Sequence, residues 1–425
     1  MNTRFYNARI IKTNDNHTFD IVSGQLWVEG DAISYIGNEK DASSVKWDRE
    51  IDCENNLLMP GFKNAHAHTA MTFLRSYADD TSLQDWLFNQ IFPKEDQLTA
   101  DDIYWLDILG IMEYLTSGIT SAFDMYFFQE KNAQAFVDCG FRVVQVRAIN
   151  RFSGSCEAME ENYLKCNAMG PLSKFVMGFH GEYTTDLKMM EGVAALCEKY
   201  KSPMFAHNSE TASEVKECIE RYGKTPTEIT DELGMYKYGG GGYHCVHFSD
   251  HDFEIFKKRN LSFVTNIGSN VKLASGFPDV NRCLNEGINL AIGTDGPASN
   301  NALDFFREMY LTACIPKVTN NDPACMPANE VLYAATAGGA KAMTITDCDC
   351  LEVGKQADIV MIDMMQPNMQ PENNLIKNIV YSGSKQNVKL TMVAGKVLYE
   401  DGKYNIGFDP KEVYAKANAI IRRMK

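Results

Sequence analysis

No stretch of eighteen or more apolar residues occurs in the 425-residue chain, so no transmembrane helix and no membrane partner are expected. Positive charge is in deficit. The 41 lysines and arginines face 56 aspartates and glutamates, a formal charge of -15. A surface that follows phosphates should be basic, so nucleic acid is not expected as a partner either. The opening residues Met1-Asn2-Thr3-Arg4-Phe5-Tyr6 lack the apolar core of a signal peptide, and no secretory leader is expected. There is no internal repeat and no low-complexity segment. The 12 cysteines show no framework spacing: Cys348-Asp349-Cys350 has no second pair beside it, and Cys139, Cys197 and Cys314 sit inside apolar runs. Thiols placed this way read as reduced core residues of a cytoplasmic protein.

What the chain does have is a 45% hydrophobic share, enough for a large buried core. Its length exceeds one ordinary domain, although an α/β barrel can use most of it as a single unit. Residues 1–58 read as short strands (5–11, 24–29, 32–36) broken by polar turns, and residues 355–404 read the same way, with a hairpin at 393–397. A helix is expected over 410–425, with Pro410 at its start and basic residues in its last turn. The middle, residues 59–354, alternates strands and helices. Strand-like runs fall at 61–68, 119–125, 142–147, 175–180, 204–207, 243–247, 262–266 and 289–295, with helical periodicity at 102–116, 189–200 and 252–258. Eight such alternations predict a (β/α)8 TIM barrel (59–354), flanked by a small β-sandwich built from both chain ends (1–58 and 355–425).

In such a barrel, reactive side chains collect at the C-terminal ends of the strands. The first predicted strand ends in His66-Ala67-His68, and residues i and i+2 of a strand share a face. Taken alone, that pair is as compatible with a structural role as with a metal. The rest of the chain completes the pattern: His180 ends the fourth strand, His207 the fifth, His244 lies in the sixth and Asp295 ends the eighth. His66, His68, His207 and Asp295 suit a catalytic divalent metal, Zn²⁺ or Fe²⁺. Such an ion lowers the pKa of a water toward ~7, and the nucleophile then needs a proton shuttle. Glu210, three residues after His207, can reach back to serve, with His244 orienting the nucleophile or polarising the scissile group; His247 is read as structural.

The motifs Pro60-Gly61-Phe62-Lys63-Asn64-Ala65-His66-Ala67-His68, His207-Asn208-Ser209-Glu210-Thr211, His244-Cys245-Val246-His247 and Thr294-Asp295-Gly296 through Asn301 resemble the amidohydrolase superfamily. The branch they resemble holds the adenosine, S-adenosylhomocysteine and methylthioadenosine deaminases and the chlorotriazine hydrolases. The likeness runs nearly the whole length, including Gly354-Lys355-Gln356-Ala357-Asp358 and Met392-Val393-Ala394-Gly395. It implies a small-molecule substrate, one divalent metal with zinc favoured over iron, and a homo-oligomer as a common state. A bridged two-metal site in this superfamily uses a modified lysine at the end of the fourth strand. Here that strand ends at His180, with Lys174 at its other end, which points to one metal. The His-x-Glu and Pro-Cys-x-x-Cys signature of the unrelated zinc deaminases is absent.

The resemblance further implies that Trp86 lies beside the substrate, Glu95 binds ribose hydroxyls, His180 meets the purine ring and Arg147 meets a 5′ amino-acid tail. A vicinal diol suits one carboxylate accepting two hydrogen bonds. Glu210 then passes a proton to the ring nitrogen beside the attacked carbon. The expectation is hydrolytic deamination of adenosine-type nucleosides such as 5′-methylthioadenosine and S-adenosylhomocysteine. The alternative is another N-heterocycle: guanine, a pterin or a triazine. Three departures bear on substrate. Ala158 stands where the family's second tail-binding arginine falls, with Arg151 nearby. Gly181-Glu182 replaces Ala-Pro, setting an extra carboxylate near the site, and Thr265-Asn266-Ile267 replaces His-Asn-Pro.

Overall fold

The computed structural model describes residues 1–81, 85–151 and 153–424; Lys425, the last residue of the expected C-terminal helix, lies outside them. The chain opens with β1 (Asn2–Thr13), β2 (Phe19–Glu29), β3 (Ala32–Gly37), β4 (Arg49–Asp52) and β5 (Leu57–Pro60). Eight barrel strands follow: β6 (Phe62–Ala67), β7 (Ile119–Tyr126), β8 (Arg142–Arg147), β9 (Ser173–Gly181), β10 (Met204–Asn208), β11 (Gly240–His244), β12 (Ser262–Thr265) and β13 (Asn289–Ile292). The chain ends with β14 (Ile359–Ile362), β15 (Val388–Val393), β16 (Lys396–Glu400), β17 (Lys403–Tyr404) and the helix Pro410–Arg423.

Strands from both chain ends form one nine-stranded mixed sheet, ordered β17-β16-β15-β14-β5-β1-β2-β3 with β4 also on β1. The two ends meet where β5 pairs antiparallel with β14, Met59 opposite Val360. Phe5, Ile10, Leu26, Leu58, Ile359 and Leu390 give this sheet a core of its own. The expected hairpin is present, with Val393 opposite Lys396.

The eight middle strands pair in chain order, all parallel, as expected of the barrel. Between the last and first strands, the Asp295 N–H donates to the His66 carbonyl at 3.0 Å. The interior is filled by Phe123, Val144, Phe205, Tyr243, Val264 and Ala291, so the barrel is a packed core with its working face at one end. Chain passes from sheet to barrel through Gly61, where a Cβ would collide with the Thr120 side chain. Below the barrel, Lys63 Nζ donates to Asp358 Oδ2 at 2.9 Å and Arg142 Nη2 to Oδ1 at 3.1 Å, and both ends of each pair are buried. This wholly internal charge cluster ties β6 and β8 to the start of β14.

Two expected strands are placed differently. The sixth runs Gly240–His244 rather than 243–247. Its leading glycines, left out of the expected strand, are what lets it pack. A Cβ on Gly240 would strike the Met204 carbonyl, and one on Gly241 the Ser262 carbonyl. The eighth strand stops at Ile292, so Asp295 sits in the loop beyond it at φ 59°. Among the described residues, no helix is long and apolar enough to cross a membrane.

Candidate active site

Strand register sets the site. His207 on β10 lies opposite Gly181 on β9 and Tyr243 on β11, and Asn208 lies opposite His244. His180, His207 and His244 therefore share one edge of the barrel, and β6 brings His66 and His68 to the same edge. The residues holding the reactive end are bent into the left-handed region: Ser209 at φ 51°, His244 at φ 70° and Asp295 at φ 59°. Such backbone in non-glycine residues costs about 1–3 kcal/mol each and clusters at functional sites.

One donor atom each from His66, His68, His207 and Asp295 lies within 4.8 Å of the others, and all four residues are buried. His68 Nε2 stands 3.3 Å from His207 Nε2 and 3.3 Å from Asp295 Oδ1, and His66 Nε2 is 3.4 Å from the same oxygen. The outer atoms are already committed. His207 Nδ1–H donates to the His180 carbonyl at 2.6 Å and His68 Nδ1–H to the Met125 carbonyl. Asp295 Oδ2 accepts from Ser269 Oγ at 2.6 Å and Ser299 Oγ at 2.8 Å. Each ligating atom is thereby left pointing inward. Neither ring nitrogen of His66 has a hydrogen-bond partner, although the ring is wholly buried and stacks on Tyr243 at 3.8 Å. Burial holds the His66 imidazole down at about 3 and His207 well below its usual range, so both are neutral. Asp295 stays ionised although burial opposes it, because the His66, His244 and His68 rings surround it. Three imidazoles and a carboxylate, buried and turned inward on one another, fit a divalent cation.

Beside this set, Glu210 Oε1 lies 3.8 Å from His244 Nδ1. His244 Nδ1–H donates to Asn270 Oδ1 at 2.7 Å, which turns Nε2 toward the chamber. Burial pulls the His244 ring down, but the charges of Glu210 and Asp295 outweigh it and raise the ring above its ordinary value. Burial lifts the Glu210 carboxyl despite the His244 charge. Glu210 is held by backbone as well as by side chain: the Ser209, Glu210 and Thr211 N–H groups donate to the buried Glu214 carboxylate at 3.0, 2.8 and 3.4 Å.

An inner chamber of about 60 Å³ is lined by His68, Trp86, Glu95, His180, His207, Glu210, His244 and Asp295. The expected site residues thus converge, with His66 beneath the floor. Trp86 belongs to a short π-helical stretch, Trp86–Ile91, and Glu95 ends the next turn. Tyr126 O–H donates to Glu95 Oε1 at 2.6 Å, and burial pushes the Glu95 carboxyl up to about 7. His180 Nδ1–H donates to Thr184 Oγ1 at 3.0 Å, whose own hydroxyl donates to the Gly181 carbonyl, so His180 Nε2 faces the chamber as an acceptor. The chamber opens into an outer cavity of about 810 Å³, and Glu95 lines both. Arg147 lines only the outer one, with Phe88, Phe127 and Phe128, and its Nη1 donates to Asn162.

Glu182 departs from expectation. It does not face the chamber: it is buried and gripped by Arg221, whose Nη2 and Nε donate at 2.5 and 3.2 Å. A carboxylate removed from water needs a counter-ion, and the helix Ala212–Tyr222 supplies one. Nor do Arg147 and Arg151 share a cavity, since Arg151 borders a separate one beside Glu210. Sequence reasoning missed the residues that hold the site: Ser269, Ser299, Asn270, Tyr126 and Glu214. Glu214 carries a sequence signal in the capping-box spacing Thr211-x-x-Glu214, which the structure contains, and Ser299 falls within the Thr294 to Asn301 motif although no role is read for it there.

A parallel eightfold barrel with three inward imidazoles and a carboxylate at its strand ends defines a metal-dependent hydrolase. Residues 57–398 match the amidohydrolase family, and the chain belongs to it. It is 38% identical over 408 residues to a 5-methylthioadenosine/S-adenosylhomocysteine deaminase of Caldanaerobacter subterraneus, covering 94% of this chain and 93% of that one. It is 35% identical over 417 residues to a 5'-deoxyadenosine deaminase of Methanobrevibacter smithii, covering 96% and 95%. Among solved structures, a zinc-bound adenosine deaminase from Xanthomonas campestris superposes with a TM-score of 0.93 at 29% identity, over 99% of this chain and 98% of that one.

Proposed function

We propose that this chain is a hydrolytic deaminase of adenosine-type nucleosides, with 5′-methylthioadenosine and S-adenosylhomocysteine as its leading substrates and inosine-type products. The observation that carries the proposal is Glu95, a buried carboxylate at the junction of the inner chamber and the outer cavity. A nucleoside matches that layout: base inside, diol at the junction, 5′ substituent outside. His66, His68, His207 and Asp295 would hold one zinc ion, a reading supported by the zinc-bound Xanthomonas relative. When bound, such a cation acidifies a water and stabilises charge developing on the attacked centre.

The chain's own residues do the rest. Glu95 accepts the two ribose hydroxyls, and Trp86 packs beside the base. His180 Nε2 accepts a hydrogen bond from the base edge, and His244 Nε2 orients the incoming water. Glu210, whose carboxyl burial lifts above its ordinary value, takes a proton from that water and delivers it to the ring nitrogen next to the attacked carbon. Arg147 lines the outer cavity, where it meets a charged tail, with Lys131 on the same lining. Guanine, a pterin or a triazine brings no ribose diol, which would leave Glu95 with only its Tyr126 hydrogen bond.

The test is ammonia release from 5′-methylthioadenosine, S-adenosylhomocysteine, adenosine and guanine, with zinc-loaded, iron-loaded and chelated enzyme. Metal-dependent turnover of the nucleosides but not of guanine is expected, fastest with zinc. Turnover of guanine alone would overturn the nucleoside reading.

A further inference from the structure

The inner chamber has a second neighbour. A side cavity of about 250 Å³ shares Leu87, Tyr183 and Glu210 with it, so these three side chains form the partition. The side cavity runs past half-buried Ser213 to exposed Arg151 and Glu217 at the surface. Among the described residues it has only Phe88 in common with the outer cavity. The chamber therefore adjoins a solvent-reaching cavity on a second side, across a partition that contains the residue best placed to move protons.

We infer that this side cavity is the route by which water enters and ammonia leaves while the nucleoside occupies the main mouth. The inference rests on the deaminase reading above. Each turnover forms a C–O bond and breaks a C–N bond at one ring carbon. The water's oxygen stays on the ring, one of its protons ends on the neighbouring ring nitrogen, and the other departs on the amine as ammonia. A water needs roughly 10–15 Å³ of such space. The inner chamber, at about 60 Å³, is filled by a bound base, and a ribose at Glu95 closes the way to the outer cavity. Neither small molecule can pass on that side until the product has gone. On the other side, the carboxylates of Glu210, Glu214 and Glu217 outnumber the one guanidinium of Arg151, a lining that suits an amine picking up a proton on its way out.

The test uses two variants of the metal-loaded enzyme. Ser213→Phe fills the cavity from its wall, and Glu217→Trp narrows its mouth from an exposed helix position. Each is assayed with adenosine and with its N6-methyl analogue, which releases the bulkier methylamine. Both variants should keep the parent's metal content and nucleoside KM, and kcat on adenosine should fall by about ten-fold in Ser213→Phe and less in Glu217→Trp. The loss should be several-fold greater for the methylamine-releasing substrate. Unchanged kcat on both substrates in both variants would overturn the route. So would an equal loss on the two, since a disturbed Glu210 would not distinguish the amines. If Ser213→Phe does not fold, Glu217→Trp decides alone by the same criterion. An unsubstituted enzyme that releases no ammonia from any nucleoside would instead overturn the deaminase reading.

Discussion

Replacing Glu95 by glutamine should separate the ribose contact from everything else at the site. In the parent, one buried carboxylate offers both oxygens, with Tyr126 O–H already on Oε1 at 2.6 Å. Glutamine keeps one acceptor and turns the other into a donor, so one hydroxyl loses a charged partner, worth about 1.5–3 kcal/mol. That is a fall of about 10- to 150-fold in kcat/KM on adenosine. A 2′,3′-dideoxy analogue has no hydroxyl to lose and should react almost equally with both proteins. The pH dependence follows from the same group. Burial raises the Glu95 carboxyl from 4.5 to about 7, and its accepting form is the carboxylate. Nucleoside KM should therefore fall as pH rises through 7 in the parent and stay flat in Glu95→Gln. Stability runs the other way. A carboxyl whose folded pKa lies above its unfolded value costs stability as pH rises from 4.5 through about 7. At 1.36 kcal/mol per unit the gap amounts to ~3 kcal/mol above pH 7. Glu95→Gln should be the more stable protein at pH 8 and equal to the parent near pH 4.5, read by denaturant unfolding. An equal loss of kcat/KM on ribo- and dideoxynucleosides would refute the ribose assignment.

Two further substitutions probe the scaffold. Ser269→Ala or Ser299→Ala removes one hydroxyl donor from Asp295 Oδ2 and should weaken metal affinity by about 10- to 100-fold, measured by competition with a chelating dye. Unchanged affinity would show that the hydroxyls do not orient the carboxylate. Lys63→Met strips one cation from the buried Asp358 cluster and should cost about 3–5 kcal/mol in unfolding while leaving the metal content of the folded protein intact.

Much of this architecture was legible because it is periodic or chemical. The barrel strands alternate with helices whose limits the periodicity found closely, as at Ala100–Thr116 and Leu187–Tyr200. The histidines and Asp295 stood out because few residue types bind metals and because strand ends concentrate them. What escaped was set by contacts between distant segments. The sixth strand is expected to begin only at Tyr243, because nothing local reveals that Met204 presses on Gly240 and Ser262 on Gly241. Glu182 is expected near the site because it follows His180 closely, while its partner, Arg221, lies 39 positions away. The roles of Ser269, Ser299 and Asn270 come from which side chain each touches, which their place in the sequence does not state.

The pairing of β5 with β14 has a consequence for how the chain is made. Leu58 and its partner Met361 lie roughly 300 residues apart. At a ribosomal pace of about 5–20 residues per second, β5 emerges some 15–60 s before its antiparallel neighbour exists. During that interval one edge of β5, built of Leu57, Leu58 and Met59, is an open template for another strand. The first barrel strand starts at Phe62, just beyond it, and the clustered charge of Lys63 also waits for Asp358. Folding of this protein therefore ends where the chain began, and the nascent N-terminal strands need shielding until the last strands arrive.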